Sequence, residues 1–119
     1  MQREDIDRKV ELAFLSAFYG ALLTDKQREV LALHCEEDLS ISEIAQEAGI
    51  SRQGVHDMLT RAARKLFGME ATLGMAARFQ RMEDGLARCR SCLAEGRYEE
   101  AEGVLDALTR LDQEENHGL

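Results

Sequence analysis

A short segment in the middle of the chain combines side chains that bind nucleic acids. Residues 51–67 carry four basic side chains and one acidic one, whereas residues 24–50 carry two basic and seven acidic side chains. Arginine and glutamine form paired hydrogen bonds with base edges, and arginine and lysine bind phosphates. The candidate contact residues are Ser51, Arg52, Gln53, His56, Thr60, Arg61, Arg64 and Lys65. We expect Arg52, Gln53 and His56 to reach bases and the later basic residues to contact phosphates.

The sequence around this segment predicts two helices joined by a sharp turn. Gly49 suits the left-handed backbone conformation that ends a helix, and Ser51 can cap the next one. Apolar or small residues stand where two packed helices must touch, namely at Ile44, Ala45, Ala48, Gly49, Ile50, Val55 and Met58. The joint pattern predicts a helix-turn-helix. Its second helix, from about residue 52 to 67, carries the candidate residues on its polar face.

Three observations favour weak or protein-assisted binding over tight binding to DNA. Gly54 costs the second helix about 1 kcal/mol of stability relative to Ala. Asp57 places a negative charge on the same face, and the whole chain of 119 residues has a net charge of -8. This acidity argues against a general nucleic-acid coat protein, because affinity for phosphates comes mainly from Lys and Arg. An alternative stays open, in which the same fold docks on another protein.

The whole composition predicts an all-α fold, since the chain has no Pro and only 5% aromatic residues. A first helix is expected over residues 5–23, well buried through two sets of apolar residues. The main stripe is Ile6, Val10, Ala13, Phe14, Phe18 and Leu22, widened by Leu12, Leu15, Tyr19 and Leu23. A second helix follows the cap Thr24 and runs to about Glu37, and a short third one is capped by Ser40 or Ser42.

The C-terminal part of the chain predicts a helical hairpin. A fifth helix is expected from Met69, with an apolar stripe at spacings of three and four that runs to Leu93. Gly96 should end it, and a sixth helix should follow with an apolar stripe of Tyr98, Ala101, Leu105, Leu108 and Leu111. The sequence therefore predicts a helix-turn-helix domain at 1–67 and a hairpin arm at 68–119. The arm could pack on the first four helices or form a dimer seam, and we expect a homodimer.

Other kinds of chemistry find little support in the residues. Cys89 and Cys92 would need His34 and Cys35 to complete a zinc site, but neighbouring residues on a helix point to different sides, so we expect buried reduced thiols and no metal. No catalytic arrangement or phosphate-binding loop is present, so we expect neither an enzyme nor a cofactor. The absence of a signal-peptide pattern and of a long apolar run predicts a cytoplasmic protein without a membrane span.

The stretch "LTDKQREVLALHCEEDLSISEIAQEAGISRQGVHDMLTRAARKL" resembles the fourth region of bacterial sigma factors, which recognises the −35 promoter element. It is still more similar to the YlxM-type family of small bacterial helix-turn-helix proteins, through "LLTDKQREVL", "EEDLSISEIA" and "GISRQGVHD" after an apolar first helix. Gly54 and His56 stand where that family more often has Ala and Tyr. The resemblance implies a regulatory protein of the signal recognition particle pathway, with its GTPase or small RNA as partners.

Overall fold

The predicted all-α fold is confirmed by a computed structural model, which describes the backbone of residues 2–117 and the side chains of residues 3–111 and 113. The described residues contain no strand. The helices are α1 (Gln2–Tyr19), α2 (Asp25–Cys35), α3 (Ile41–Ala48), α4 (Arg52–Leu73), α5 (Met75–Ala94) and α6 (Tyr98–His117), with a 3-10 turn at Gly20–Leu22.

The chain divides into two compact units, residues 1–76 and residues 77–119. The predicted domain boundary at 67/68 falls inside α4, because this helix continues to Leu73. A separate helix beginning at Met69 was therefore the wrong expectation. The assignment of residues 68–119 as a dimerisation arm stays a prediction.

Two apolar clusters hold the first unit together. One joins α1, α2 and α4 and is made of Leu12, Leu15, Tyr19, Leu23, Leu31, Ala62, Ala63, Leu66 and Ala76. The other joins α2, α3 and α4 and is made of Val30, Ile44, Ala45, Ala48 and Val55. Ile44 and Val55 have no exposed surface, and complete burial of such a side chain stabilises a fold by about 1.5–3 kcal/mol. The helix-turn-helix residues thus also form part of the core.

The buried side of α1 matches the predicted main stripe only in part, through Phe14 and Phe18, which are partly buried against the core. Ile6, Val10 and Leu22 are 60%, 63% and 52% exposed, although they belonged to the predicted main stripe. The buried residues are Leu12, Leu15, Tyr19 and Leu23, which we had expected only to widen that stripe. Apolar residues occur on nearly every side of this helix, so periodicity did not specify which side faces the core.

α4 ends at Leu73 rather than near residue 67, and hydrogen bonds of Tyr19 and Glu70 hold its junction with α5. Gly74 ends α4 with a φ of 63°, a left-handed conformation that glycine adopts without steric cost. The hydroxyl of Tyr19 donates to Glu70 Oε1 at 2.6 Å and accepts from the Met75 N–H at 3.0 Å. Glu70 Oε1 also accepts from the Ala76 N–H at 3.0 Å. Burial and the neighbouring Glu70 carboxylate raise the pKa of the Tyr19 phenol.

The second unit is a helical hairpin of α5 and α6, with a small cluster of Cys89, Cys92, Ala101 and Val104 between the helices. The expected burial of Cys89 and Cys92 is confirmed, since they are 6% and 1% exposed. A Cβ added at Gly85 would lie 2.5 Å from Leu108 Cδ2, so glycine permits the close approach of the two helices. Four residues of the predicted apolar stripes are exposed, namely Leu86 and Leu93 on α5 and Tyr98 and Leu105 on α6.

Candidate nucleic-acid interface

The helix that precedes the turn is fixed at its start by a capping box. Ser40 Oγ accepts from the Glu43 N–H at 3.1 Å, and Glu43 Oε1 accepts from the Ser40 N–H at 3.0 Å. Of the two caps left open by the sequence, the structure uses Ser40. These hydrogen bonds lower the pKa of the Glu43 carboxyl. Since two free N–H groups are satisfied, the short α3 begins at a defined residue.

The turn itself has the predicted geometry. Gly49 has φ 71° and ψ 33°, which is the left-handed region, and the N–H groups of Gly49 and Ile50 donate to the Ala45 carbonyl at 3.0 and 3.1 Å. Lys26 Nζ donates to the Ala48 carbonyl at 2.6 Å and so satisfies a second free carbonyl at the end of α3. The Lys26 contact was missed, because a residue 22 positions away leaves no local pattern in the sequence.

Ser51 begins α4 as its N-cap. Its Oγ accepts from the Gly54 N–H at 2.9 Å, as predicted from the residue type. A Cβ added at Gly54 would lie 3.1 Å from the same Oγ. Glycine at this position therefore leaves room for the cap, and this close contact offsets part of the helix stability that an alanine would add.

The packing of α4 leaves one whole side of the helix in solvent. Val55, Ala62, Ala63 and Leu66 are buried against the other helices of the first unit. At about 100° per residue, Gln53, Thr60, Arg61 and Arg64 point away from these buried residues, and His56 and Lys65 lie at the flanks. Arg52 lies on the same side as Val55 but is the first residue of the helix and is exposed. All eight predicted residues are exposed, namely Ser51, Arg52, Gln53, His56, Thr60, Arg61, Arg64 and Lys65. We call these side chains the α4 face.

Three members of the α4 face already have partners within the protein. Ser51 Oγ is engaged in the cap, and Gln53 Nε2 donates to Asp57 Oδ1 at 3.1 Å. Lys65 Nζ donates to the Leu22 carbonyl at 2.6 Å, which ties it to the 3-10 turn after α1. Binding through Gln53 or Lys65 would require these hydrogen bonds to be exchanged for bonds to the ligand.

The three arginines of the α4 face differ from Ser51, Gln53 and Lys65 in their contacts. Within the described part of the chain, no ion pair involves Arg52, Arg61 or Arg64. Arg52 and Arg64 are separated by roughly 18 Å along the axis, since a helix rises about 1.5 Å per residue. Asp57 is the acidic residue on this side of the helix. The face thus offers guanidinium groups that are free to bind an anionic ligand.

The described residues offer little for other kinds of site. No group of three or more His, Cys, Asp or Glu side chains is placed to hold a metal ion in this part of the chain. None of the described helices has both the length and the apolar character that crossing a bilayer needs.

Comparison with known proteins agrees with the helix-turn-helix geometry. The family model UPF0122, described as "Putative helix-turn-helix protein, YlxM / p13 like", matches residues 6–102. A UPF0122 protein of Bacillus mycoides (strain KBAB4) is 34% identical over 109 residues, which cover 90% of this chain and 99% of the relative. UPF0122 proteins of Bacillus cereus (strain AH187) and Bacillus anthracis (strain A0248) are each 33% identical over 109 residues, with the same coverage. The chain therefore belongs to the UPF0122 family of YlxM/p13-like helix-turn-helix proteins.

Proposed function

We propose that this protein is a cytoplasmic regulator that binds DNA or RNA weakly through the α4 face and is not an enzyme. The observation that carries the proposal is the set of three exposed arginines without ion pairs on a helix that follows a helix-turn-helix turn. A well-formed contact between such a side chain and a base edge contributes about 1–3 kcal/mol of discrimination. The resemblance to the YlxM-type family supports the signal recognition particle pathway as the regulated process, with its small RNA as one candidate ligand.

The test is fluorescence anisotropy with labelled duplex DNA and with the small RNA of the signal recognition particle, over a salt series. If Arg61, Arg64 and Lys65 contact phosphates, log K should fall with log salt at a slope of roughly −3 on duplex DNA, because each contact contributes about −0.9. The double variant Arg52→Ala, Gln53→Ala should bind at least about tenfold more weakly.

A matched control is Arg28→Ala, which removes an arginine from α2 that pairs with Asp25 and lies outside the α4 face. This variant should bind like the wild type. Absence of binding, affinity that does not depend on salt, or equal losses in the control and in the double variant would contradict the proposal.

A second candidate function is a protein-interaction module that docks on the targeting GTPase without nucleic acid. The net charge of -8 and the exposed Leu86 and Leu93, 46% and 51% exposed on α5, support this alternative. A pull-down from nuclease-treated lysate separates the two functions. Capture of the GTPase by both the wild type and the Arg52→Ala, Gln53→Ala variant supports docking on protein, and loss of capture after nuclease treatment contradicts it.

We also propose that the protein acts as a homodimer. Exposed apolar residues are available on α1 (Ile6, Val10) and on α5 (Leu86, Leu93). On DNA, two α4 faces would have to lie about 34 Å apart to enter successive turns of the major groove. Light scattering after size exclusion measures the mass directly. A dimer that becomes a monomer in Leu86→Glu, Leu93→Glu assigns the interface to α5, and a monomeric wild type contradicts the proposal.

A further inference from the structure

A cleft lies within the first unit, between α1, α2 and α4, and has a volume of about 470 Å³. This is within the range of about 300–1,000 Å³ that small-molecule sites occupy. Its apolar lining includes Leu12, Ala63 and Phe67. Leu12 and Ala63 are themselves only 5% and 8% exposed, so the apolar surface that a ligand can contact comes mainly from the partly exposed Leu59 and Phe67.

The polar lining of this cleft is cationic. Arg8 from α1 and Arg64 from α4 both line it, together with the hydroxyl-bearing Thr60, and no Asp or Glu is among the lining residues. Neither arginine is in an ion pair within the described residues. In a chain with a net charge of -8, two guanidinium groups in one cleft without a carboxylate make a local site of positive potential.

The position of Arg8 is held by an aromatic ring. Its guanidinium carbon lies 4.7 Å from the centroid of Phe67, which is the geometry of a cation–π contact. This contact restrains the long side chain, so less conformational entropy is lost when its N–H groups bind a ligand. Two arginines match a doubly charged phosphate better than a singly charged carboxylate, and the planar guanidinium binds phosphate oxygens in pairs.

His34 also lines the cleft, and its Nδ1 is buried without a hydrogen-bond partner in the described part of the chain. Burial and the positive charge of Lys9 lower the pKa of its imidazole, against the opposing effect of the Asp38 and Asp5 carboxylates, which lie nearby but do not line the cleft. The ring is therefore neutral near neutral pH and adds no positive charge to the cleft. The cationic character of the site comes from Arg8 and Arg64.

We propose that this cleft binds a small organic phosphate, with a planar apolar group against Leu59 and Phe67 and the phosphate between Arg8 and Arg64. The proposed ligand site is not the same as the proposed nucleic-acid site, because Arg8 and His34 lie outside the α4 face. Thr60 and Arg64 belong to both, so the ligand competes with a nucleic acid for these two side chains.

The experiment is a titration of the full ¹⁵N-labelled protein with phenyl phosphate, followed by amide chemical shifts. Saturable shifts should concentrate in α1, α2 and α4 around the cleft. Inorganic phosphate and phenol, which carry only one half of the ligand each, should bind at least about tenfold more weakly, since each half forms only part of the contacts. Equal binding of inorganic phosphate would mean an adventitious anion at surface arginines and would overturn the proposal.

Single substitutions distinguish binding of phenyl phosphate in the cleft from binding at the α4 face. Arg8→Gln and Arg64→Gln should each weaken phenyl phosphate at least about tenfold, because a hydrogen bond to a charged group contributes about 1.5–3 kcal/mol. Arg28→Gln, on α2 and outside both the cleft and the α4 face, is the matched control and should stay within about twofold of the wild type, as expected of a residue without ligand contacts. Arg8→Lys tests the geometry, and it should also weaken binding, since an ammonium group cannot bind two oxygens side by side. Absence of saturable binding, or equal losses in Arg28→Gln and Arg64→Gln, would refute the site whatever the outcome with nucleic acids.

Discussion

Replacement of Gly49 by alanine tests whether the turn depends on backbone conformation alone. A Cβ at this position meets no atom within 4 Å, so no steric clash with neighbours contributes to the effect. The cost arises from the φ of 71°, and an L-residue in the left-handed region costs about 1–2 kcal/mol. Because alanine also lowers the entropy of the unfolded chain by about 0.4–1 kcal/mol, we expect a net loss of about 1 kcal/mol.

Gly68 provides the matched control for this prediction. It lies within α4, where its added Cβ also meets nothing within 4 Å. Gly68→Ala should therefore raise the free energy of unfolding by about 0.5–1 kcal/mol, so the two substitutions have opposite signs. Urea unfolding followed by circular dichroism at 222 nm measures both, and each kcal/mol corresponds to a shift of about 4–8 °C in Tm. A Gly49→Ala variant as stable as Gly68→Ala would refute the argument from φ.

Three further predictions concern buried or capping polar groups. The fold lowers the pKa of the His34 imidazole, so the neutral ring stabilises the folded protein fully above the unfolded pKa of about 6.5, and this stabilisation is lost as the pH falls through the lower folded value. The urea midpoint should therefore decrease from about pH 7.5 to 5. His34→Gln should make this decrease smaller. Tyr19→Phe removes the hydroxyl that joins Glu70 to the Met75 N–H, so a loss of about 1–3 kcal/mol is expected in urea unfolding, and an unchanged midpoint would contradict it. Ser40→Ala removes the N-cap of α3 and should cost about 1 kcal/mol, measured in the same way, whereas Ser40→Asp should retain most of the stability.

Local features of the sequence were enough to predict the helix-turn-helix. Gly49, Ser51 and the spacing of the small and apolar residues act over fewer than 20 positions, which is the range within which residue type determines turns and caps. The start of α4 and its exposed side could therefore be predicted from the residues alone. The choice between Ser40 and Ser42 could not, because both have the hydroxyl of an N-cap.

The wrong predictions concern the buried side of α1 and the end of α4, where the sequence pattern was compatible with more than one structure. The sequence of α1 is apolar around most of its circumference, so its spacing supported a core side through Ile6 and Val10 as well as the real one through Leu12 and Leu15. Gly74 ends α4 and is a local signal that the prediction of a helix running on from Met69 passed over, and the Tyr19–Glu70 contact at this junction joins residues 51 positions apart. No pattern within a window of helical length includes both residues.

The sequence by itself determined that this chain is helical, where its glycine turn lies, and which side chains α4 offers to solvent, since each of these follows from interactions within a few turns of helix. Only the tertiary structure decided which side of α1 is buried, that Lys26 satisfies the end of α3, and that Arg8 and Arg64 line one cleft. Those outcomes depend on contacts between residues far apart in the chain, whose free energies are determined by the packing of whole helices rather than by the type of any single residue.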